Sequence, residues 1–439
     1  MDMQCATSPM PDPLGGSIIE HYDADCPDLM DRWLPVDRWL ASRIEAGVLA
    51  LCSVNDGRAE CRTTGHDAAG RAIGGVNVAN QDYLSLARHP QVLDGARRAI
   101  ANVGLHAAGT PLQMGLTSGM IALEAAIADF TACREATVFP SGWAAGYGAI
   151  RALVRPEDHV LIDARALGAL HEGAMAATPN VHRFPHLSTE GATRWMERLR
   201  ECRPDVGILV ITESLFGLDS DAPDLGALQQ QCSRHGATLM VDVSHDLGAL
   251  GPTGRGALEL QGMLGEIDIV VGSFAKVFAS NGGFVASNHR ALRPALRFGS
   301  GPQTSSNALS PVQAATVLAA LEVVQSPEGA VRRQRLMHNA LTLREAMQGL
   351  GLRVIGAPSA VVPVILGSDA WSRRLTAAVL TEGGLVNLLE FPSVPRNACR
   401  WRLHLMADHC DADIAEFTTA VHRALSLAND PTWNPVPPL

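Results

Sequence analysis

Lys276 is the one lysine in a chain of 439 residues, although lysine and arginine together number 35. It lies in "IDIVVGSFAKVFASNGG", an apolar run that ends in glycines. Arginine carries charge, pairs with acids and solvates a surface as well as lysine does. It neither gives up its proton readily nor forms imines, whereas a partly desolvated lysine does both. A chain that uses arginine for every other basic task therefore keeps this amine for amine chemistry. The neighbouring Phe274, Ala275, Val277 and Phe278 argue against a fully solvated position. An imine needs a carbonyl partner, either a substrate's or that of pyridoxal phosphate (PLP), and three further sites favour the cofactor. In "LMVDVSHDLG", Asp242 closes an apolar run, where a carboxylate can hold a pyridinium nitrogen protonated and make the ring an electron sink. His245 follows three residues on, within reach of the same ring. In "FPSGWAAGYGAI", Ser141, Gly142 and Trp143 close a strand and open a helix, whose unpaired N–H groups and dipole make a phosphate seat. Ser273 adds a hydroxyl three residues before Lys276. Each motif is common alone; their order along the chain is specific.

The surrounding pattern shows what positions them. From about Gln81, short β-branched runs alternate with helical stretches: "ATVFP" then "WAAGYGAIRALV", "HVLIDA" then "LGALHEGAMAA", "VGILVITES" then "DLGALQQQCSRHG". Near-continuous apolar strands separated by helices imply an α/β fold with a mainly parallel sheet buried on both faces. Ligands bind such sheets beyond the carboxyl ends of the strands. After a long helix near 310–325 the order changes. "LRVIG", "AVVPVILG", "VNLLEF" and "CRWRLHLMA" read as strands, with helices at "DAWSRRLTAAVLTEGG" and "ADIAEFTTAVHRALSL", a smaller α+β domain. The expected division is an N-terminal segment over 1–80, a cofactor-binding large domain over 81–325 and a C-terminal domain over 326–439. The first segment holds an amphipathic helix around "LMDRWLPVDRWLASRIEAGV", broken or kinked at Pro35.

Composition removes other classes. A formal charge of −10 argues against nucleic acid or an anionic membrane as partner, and no apolar run approaches the roughly 20 residues of a membrane span. The N-terminus lacks the basic start and apolar core of a signal peptide. Nine scattered cysteines, Cys5 the first, without a CxxC pair, suit free thiols in a reducing cytoplasm. "HLMADHCDAD" gathers His404, His409 and Cys410 among aspartates, but the spacing fits no zinc pattern and no metal is assigned. Arg332, Arg333 and Arg335 form a basic patch on a helix: a solvated face, or a receiver for CoA phosphates or an acidic carrier protein.

Between about Gln81 and Leu427 the chain resembles the fold-type I PLP-dependent α-oxoamine synthases. These include 8-amino-7-oxononanoate synthase, 2-amino-3-ketobutyrate CoA ligase, 5-aminolevulinate synthase and serine palmitoyltransferase, and quorum-sensing α-aminoketone synthases are similar too. "QDYLSLARHP" resembles the family's NDYLGL…HP, "VFPSGWAAGYGAI" its FSSGYxAN and "ITESLFGLDSDAPDL" its TEGVFSMDGDxAPL. "VDVSHDLGALGPTGRG" resembles VDEAHSxGxxGxxGRG, "GSFAKVFASNGG" the GTFSKAxGxxGG lysine motif and "RWRLHL" the late RLRLTL strand. The resemblance implies that Lys276 carries PLP as an imine and then removes the substrate α-proton. Asp242 would pair with the pyridinium, His245 with the ring hydroxyl, and Ser141, Gly142, Trp143 and Ser273 with the phosphate. Arg402 would bind the amino-acid carboxylate, a two-pronged task suited to guanidinium. Glu213 matches a carboxylate beside the cofactor on the acyl-substrate side. Family members are homodimers with sites at the subunit interface, and "SSNALSP", 305–311, resembles a segment that reaches the neighbour's phosphate.

The departures fall on the substrate side. Leu167, in "DARALGALHEGA", stands where the family has a ring-stacking histidine; it can cover a ring but cannot move a proton. His171, four residues on, shares its face on a helix, as a substitute or as a structural histidine. Val243 replaces an acid, Gly217 a serine, and Gln81 the asparagine before Asp82; Pro111 and Met114 depart from a Gly/Ser-rich loop. The implied activity is condensation of an amino acid with an acyl thioester, on CoA or a carrier protein, with loss of CO2. An aminotransferase and a non-catalytic partner subunit are the rivals.

Overall fold

The alternating runs form a seven-stranded sheet inside one compact unit, Gln81–Met337. The computed structural model of the chain describes residues 10–58 and 60–436, so Cys5 and the start of the stretch read for a targeting signal lie outside it. In chain order the strands of this sheet are β1 (Glu135–Phe139), β2 (His159–Asp163), β3 (Val181–Phe184), β4 (Ile208–Glu213), β5 (Thr238–Asp242), β6 (Ile269–Ser273) and β7 (Gly283–Ser287). Their spatial order is β1-β7-β6-β5-β4-β2-β3. β7 runs antiparallel to both neighbours and the other strands run in one direction. This is the mainly parallel sheet that the alternation implies, and it brings the carboxyl ends of six strands to one edge.

Burial on both faces explains the near-continuous apolar runs. Val160, Ile162, Ile211, Met240 and Val271 pack with Ala145, Ala149 and Ile150 of helix α1 (Gly142–Leu153) and Leu170 and Ala174 of helix α2 (Gly168–Ala177). Each fully buried Ile or Leu contributes roughly 1.5–3 kcal/mol. The two helices approach closely where glycine leaves room. A Cβ on Gly146 would come within 2.7 Å of Leu170 Cδ2, and one on Gly173 within 3.0 Å of Tyr147 Cα.

The other unit takes the chain up to Asn80 and again from His338 onward. Its antiparallel sheet runs Arg353–Val354, Val361–Gly367, Cys399–His404, Leu388–Leu389. A second sheet joins Val54–Asn55, Arg62–His66 and Ala72–Asn77 to Gly384–Leu385, with Val76 opposite Gly384. Residues before Asn80 are thus built into the same unit as the C-terminal stretch, because Ala72–Asn77 finds a strand partner there. Pro35 sits in the first turn of the helix Leu34–Glu45, after a short 3-10 turn at Asp31–Trp33. It starts that helix rather than kinking it, since a first-turn residue needs no N–H.

A buried polar cluster ties this segment down. Glu390 accepts from Arg43 at 2.7 Å and from Arg373 at 2.8 Å. Arg373 also donates to the carbonyls of Leu14, Gly15 and Gly16 at 2.7, 2.8 and 2.8 Å. Both guanidiniums also lie over the Trp39 ring, Arg43 at 4.9 Å and Arg373 at 5.3 Å from its centroid. Among the described residues, no helix is long and apolar enough to cross a membrane.

Candidate active site

Strand ends deliver the candidate residues of the large unit to the carboxyl edge. Asp242 is the last residue of β5 and sits directly opposite Glu213, the last of β4. Ser273 ends β6, paired with Gly283 of β7, and Lys276 follows in the next turn, half-buried. Ser141 and Gly142 follow β1; Leu167 and His171 follow β2.

The electrostatics of this edge depend on its cation. Burial, and then the neighbouring Asp242, push the Glu213 carboxyl well above the usual range, while the Lys276 charge pulls it back. Burial raises Asp242 as well, opposed by its hydrogen bonds from Ser244 and by Lys276. Two buried acids side by side favour the company of a second positive group. A protonated heterocyclic nitrogen beside Asp242 would supply one.

The phosphate seat is built by crowding. Ser141 caps α1, its Oγ accepting from Ala144 N at 3.1 Å. The N–H groups of Gly142 and Trp143 in the first turn have no carbonyl of their own helix to meet. A Cβ on Gly142 would fall 2.5 Å from Ser273 Cβ, and one on Gly283 would fall 2.6 Å from Gly142 Cα. Glycine at both positions lets the helix start touch β6 and β7, with the Ser273 side chain packed directly against Gly142. Trp143 is half exposed and stacks on Tyr147, ring centroids 4.8 Å apart.

Leu167 donates its backbone N–H to Glu213 Oε1 at 2.8 Å, and its side chain is 45% exposed. Leucine at this place thus covers the edge without any proton to give. His171 bonds the backbone carbonyl of Asp163, and burial lowers its pKa; its ring serves the β2–α2 connection. His245 is buried, with Nδ1 3.2 Å from the Tyr83 hydroxyl. Gln81 is half-buried and accepts Tyr83 N through its carbonyl. Arg402 belongs to the other unit, on the strand Cys399–His404, where its N–H bonds Asn387 O at 3.0 Å. In that unit both His409 nitrogens are engaged, Nδ1 accepting from Met406 N and Nε2 donating to Asn77 O.

Sequence reasoning missed three groups here. Asp246 is fully buried; it accepts from Ser214 Oγ at 2.6 Å and Ala257 N at 2.5 Å, and burial pushes it up to about 7. An acid directly after His245 was the available signal. Tyr83 was visible only as part of "QDYL".

The third, His186, bridges Asp163 (2.8 Å) and Asp221 (3.2 Å). Burial disfavours its charge, but the two carboxylates outweigh burial and raise it to about 9. A base raised above its unfolded value of 6.5 stabilises fully below that value and loses the contribution as pH rises through 9. The stability gap between wild type and His186→Gln should therefore be widest near pH 6 and shrink by pH 9.5 in urea titrations. A gap independent of pH would show that the imidazolium charge is not its source.

The model of the family described as aminotransferase class I and II matches residues 74–421. The chain is similar to the 8-amino-7-oxononanoate synthase of Geobacter metallireducens, 34% identical over 342 residues covering 77% of this chain and 85% of that one. It is similar to the protein of the same name from Pelobacter propionicus, 33% identical over 387 residues, 87% of this chain and 96% of that one. Among solved structures it is similar to serine palmitoyltransferase of Sphingomonas wittichii, 25% identical with a TM-score of 0.85, over 91% of this chain and 99% of that one. It is also similar to a high-resolution structure of SPT with a PLP internal aldimine, 26% identical with a TM-score of 0.85, over the same shares.

Proposed function

The chain belongs to the aminotransferase class I and II family and within it to the α-oxoamine synthases, and from that premise we propose that it joins an amino acid to an acyl thioester, releasing CO2 and a thiol to leave an α-aminoketone. It is a PLP-dependent acyltransferase of that type. The observation that carries the reading is the convergence at one sheet edge of Asp242, His245, the Ser141–Gly142 helix start and the chain's one lysine.

The residues fit PLP. Asp242, raised by burial, is relieved by a ring N–H, and the crowded Gly142–Gly283–Ser273 junction is a cradle that a Cβ would fill. When bound, PLP draws electrons toward its protonated ring nitrogen and so steadies negative charge at the amino-acid α-carbon. Lys276 Nζ would hold the cofactor's aldehyde carbon, with loss of water, and once the substrate's amine has displaced it the freed amine would take the proton from the substrate α-carbon. Asp242 keeps the ring nitrogen protonated. The first-turn N–H groups of α1, with Ser141 and Ser273, hold the phosphate. Arg402 orients the substrate carboxylate through paired N–H donors, Gln81 and His171 lie on the substrate side, and Glu213 and Leu167 border the acyl side. On this reading residues 81–325 bind the cofactor and 326–439 contribute the carboxylate site.

Exposed apolar side chains support a homodimer. Leu105, Met114 and Leu116 precede the helix Ser118–Phe130 and are 69%, 88% and 37% exposed, an apolar surface that a second copy can cover. The buried free thiols Cys133 and Cys232 suit a reducing, cytoplasmic setting.

Purified protein with PLP, an amino acid and an acyl thioester should release free thiol and CO2 in equal amounts, read by a thiol-reactive dye and trapped carbonate. CoA and carrier-protein thioesters are supplied in parallel. Consumption of a 2-oxo acid acceptor without thiol release across a panel of pairs would reassign the chain to amino transfer.

A further inference from the structure

We propose that Tyr83 and Gly217 are positioning residues for His245, the phenol holding one ring nitrogen and the missing side chain at 217 making room for the other. This rests on the reading above in which His245 meets the cofactor's ring hydroxyl. All three residues lie in the unit Gln81–Met337.

Tyr83 is completely buried and its hydroxyl lies 3.2 Å from His245 Nδ1. A phenol hydroxyl both donates and accepts. In the proposed arrangement Tyr83 donates to Nδ1, which leaves the ring proton on Nε2. The turn that carries Tyr83 cannot drift, because both carboxylate oxygens of Asp82 hold it. Leu86 N donates to Oδ1 at 2.8 Å and Ala87 N to Oδ2 at 2.9 Å.

The other end of the ring meets Gly217. A Cβ built there would sit 2.3 Å from Nε2 and 2.4 Å from Cε1, far inside any contact distance. The backbone does not call for glycine at this point, since its φ lies outside the left-handed region. Space does. Nor can the loop yield easily, for Phe216 N donates to Asp221 O at 2.8 Å and Ser220 N to Phe216 O at 2.9 Å. The Phe216 ring is buried edge-on against His186, 4.5 Å between centroids, and that imidazole is itself pinned by Asp163 and Asp221. A side chain at 217 would therefore displace His245 and not the loop. By the resemblance the family has a serine where this chain has Gly217, and where the His245 ring lies in this structure there is no space for its Cβ. His171 is committed to the Asp163 carbonyl and Leu167 has no proton, so the orientation of His245 governs the imidazole chemistry these positions can offer.

The test is a double-mutant cycle read by cofactor affinity and by the absorption maximum of the bound cofactor, without any acyl substrate. Tyr83→Phe and Gly217→Ala should each weaken PLP binding about tenfold, the scale of one lost hydrogen bond, and should move the absorption maximum. In a His245→Ala background both changes should become neutral, within about twofold, and a Cβ at 217 would then occupy vacated space. Equal losses in both backgrounds, or no loss in either, would overturn the assignment. If Gly217→Ala does not fold, Tyr83→Phe, which removes a single oxygen, completes the cycle alone. A wild-type chain that takes up no PLP would overturn the functional reading and this inference with it. Uptake with additive losses would overturn this inference only.

Discussion

Lys276→Arg should leave a folded protein that turns over essentially nothing. Arginine keeps the positive charge that Glu213 and Asp242 both face, so the buried acids retain their counter-charge and the sheet edge keeps its electrostatics. Alanine would not, and its loss of activity would mix chemistry with destabilisation. A guanidinium forms no imine at neutral pH and accepts no α-proton. Loss of the base alone costs about 10²- to 10⁴-fold in kcat/KM, and loss of the covalent link adds to that. Thermal midpoints of wild type and variant should nearly coincide, while thiol release falls below detection and the visible band of bound cofactor disappears. An arginine variant keeping about a tenth of wild-type turnover, far above what loss of a general base allows, would exclude Lys276 as the reacting amine.

Glu390→Gln should be among the most destabilising single changes in the chain, although Glu390 has no part in the proposed reaction. The carboxylate is shared by Arg43 and Arg373, whose side chains are 1% and 0% exposed. Removing it leaves two buried guanidiniums beside the Trp39 ring without the carboxylate they share. Breaking a buried ion pair from one side costs about 3–5 kcal/mol, because the remaining charge stays out of water unpaired. Replacing all three, as in Arg43→Met with Arg373→Met and Glu390→Leu, removes the charges together and should cost less than the single change, even though Arg373 also loses its bonds to the carbonyls of Leu14, Gly15 and Gly16. Urea unfolding of both variants checks this order. The reverse order, with the triple variant weaker, would mean that anchoring those carbonyls outweighs charge compensation.

Much of the reacting edge was legible because its residue types are scarce or stereotyped. A solitary lysine in an arginine-rich chain stands out, and acids that end apolar runs mark the carboxyl side of a parallel sheet. The fold class followed from strand–helix alternation for the same local reason. What stayed hidden depends on contacts between distant parts of the chain. Tyr83 and His245 are 162 residues apart and Arg43 and Glu390 are 347 apart, so neither pairing leaves a trace in local spacing. The partner of Ala72–Asn77 lies at Gly384–Leu385, and no pattern near residue 80 announces it. Asp246 carries no signal in the sequence beyond following His245; only its burial, with bonds from Ser214 and Ala257, makes it unusual. Gly217 was visible as a departure from the family, but its meaning appears only once the imidazole is seen in its place.

A solitary ε-amine also makes the polypeptide its own reporter. An endoproteinase specific for lysine has one peptide bond to cut, between Lys276 and Val277, and Val277 is 1% exposed. The native chain should resist such digestion and yield two fragments only when the turn beyond β6 opens. Amine-directed acylating reagents likewise find a single side-chain amine in the cofactor-free chain.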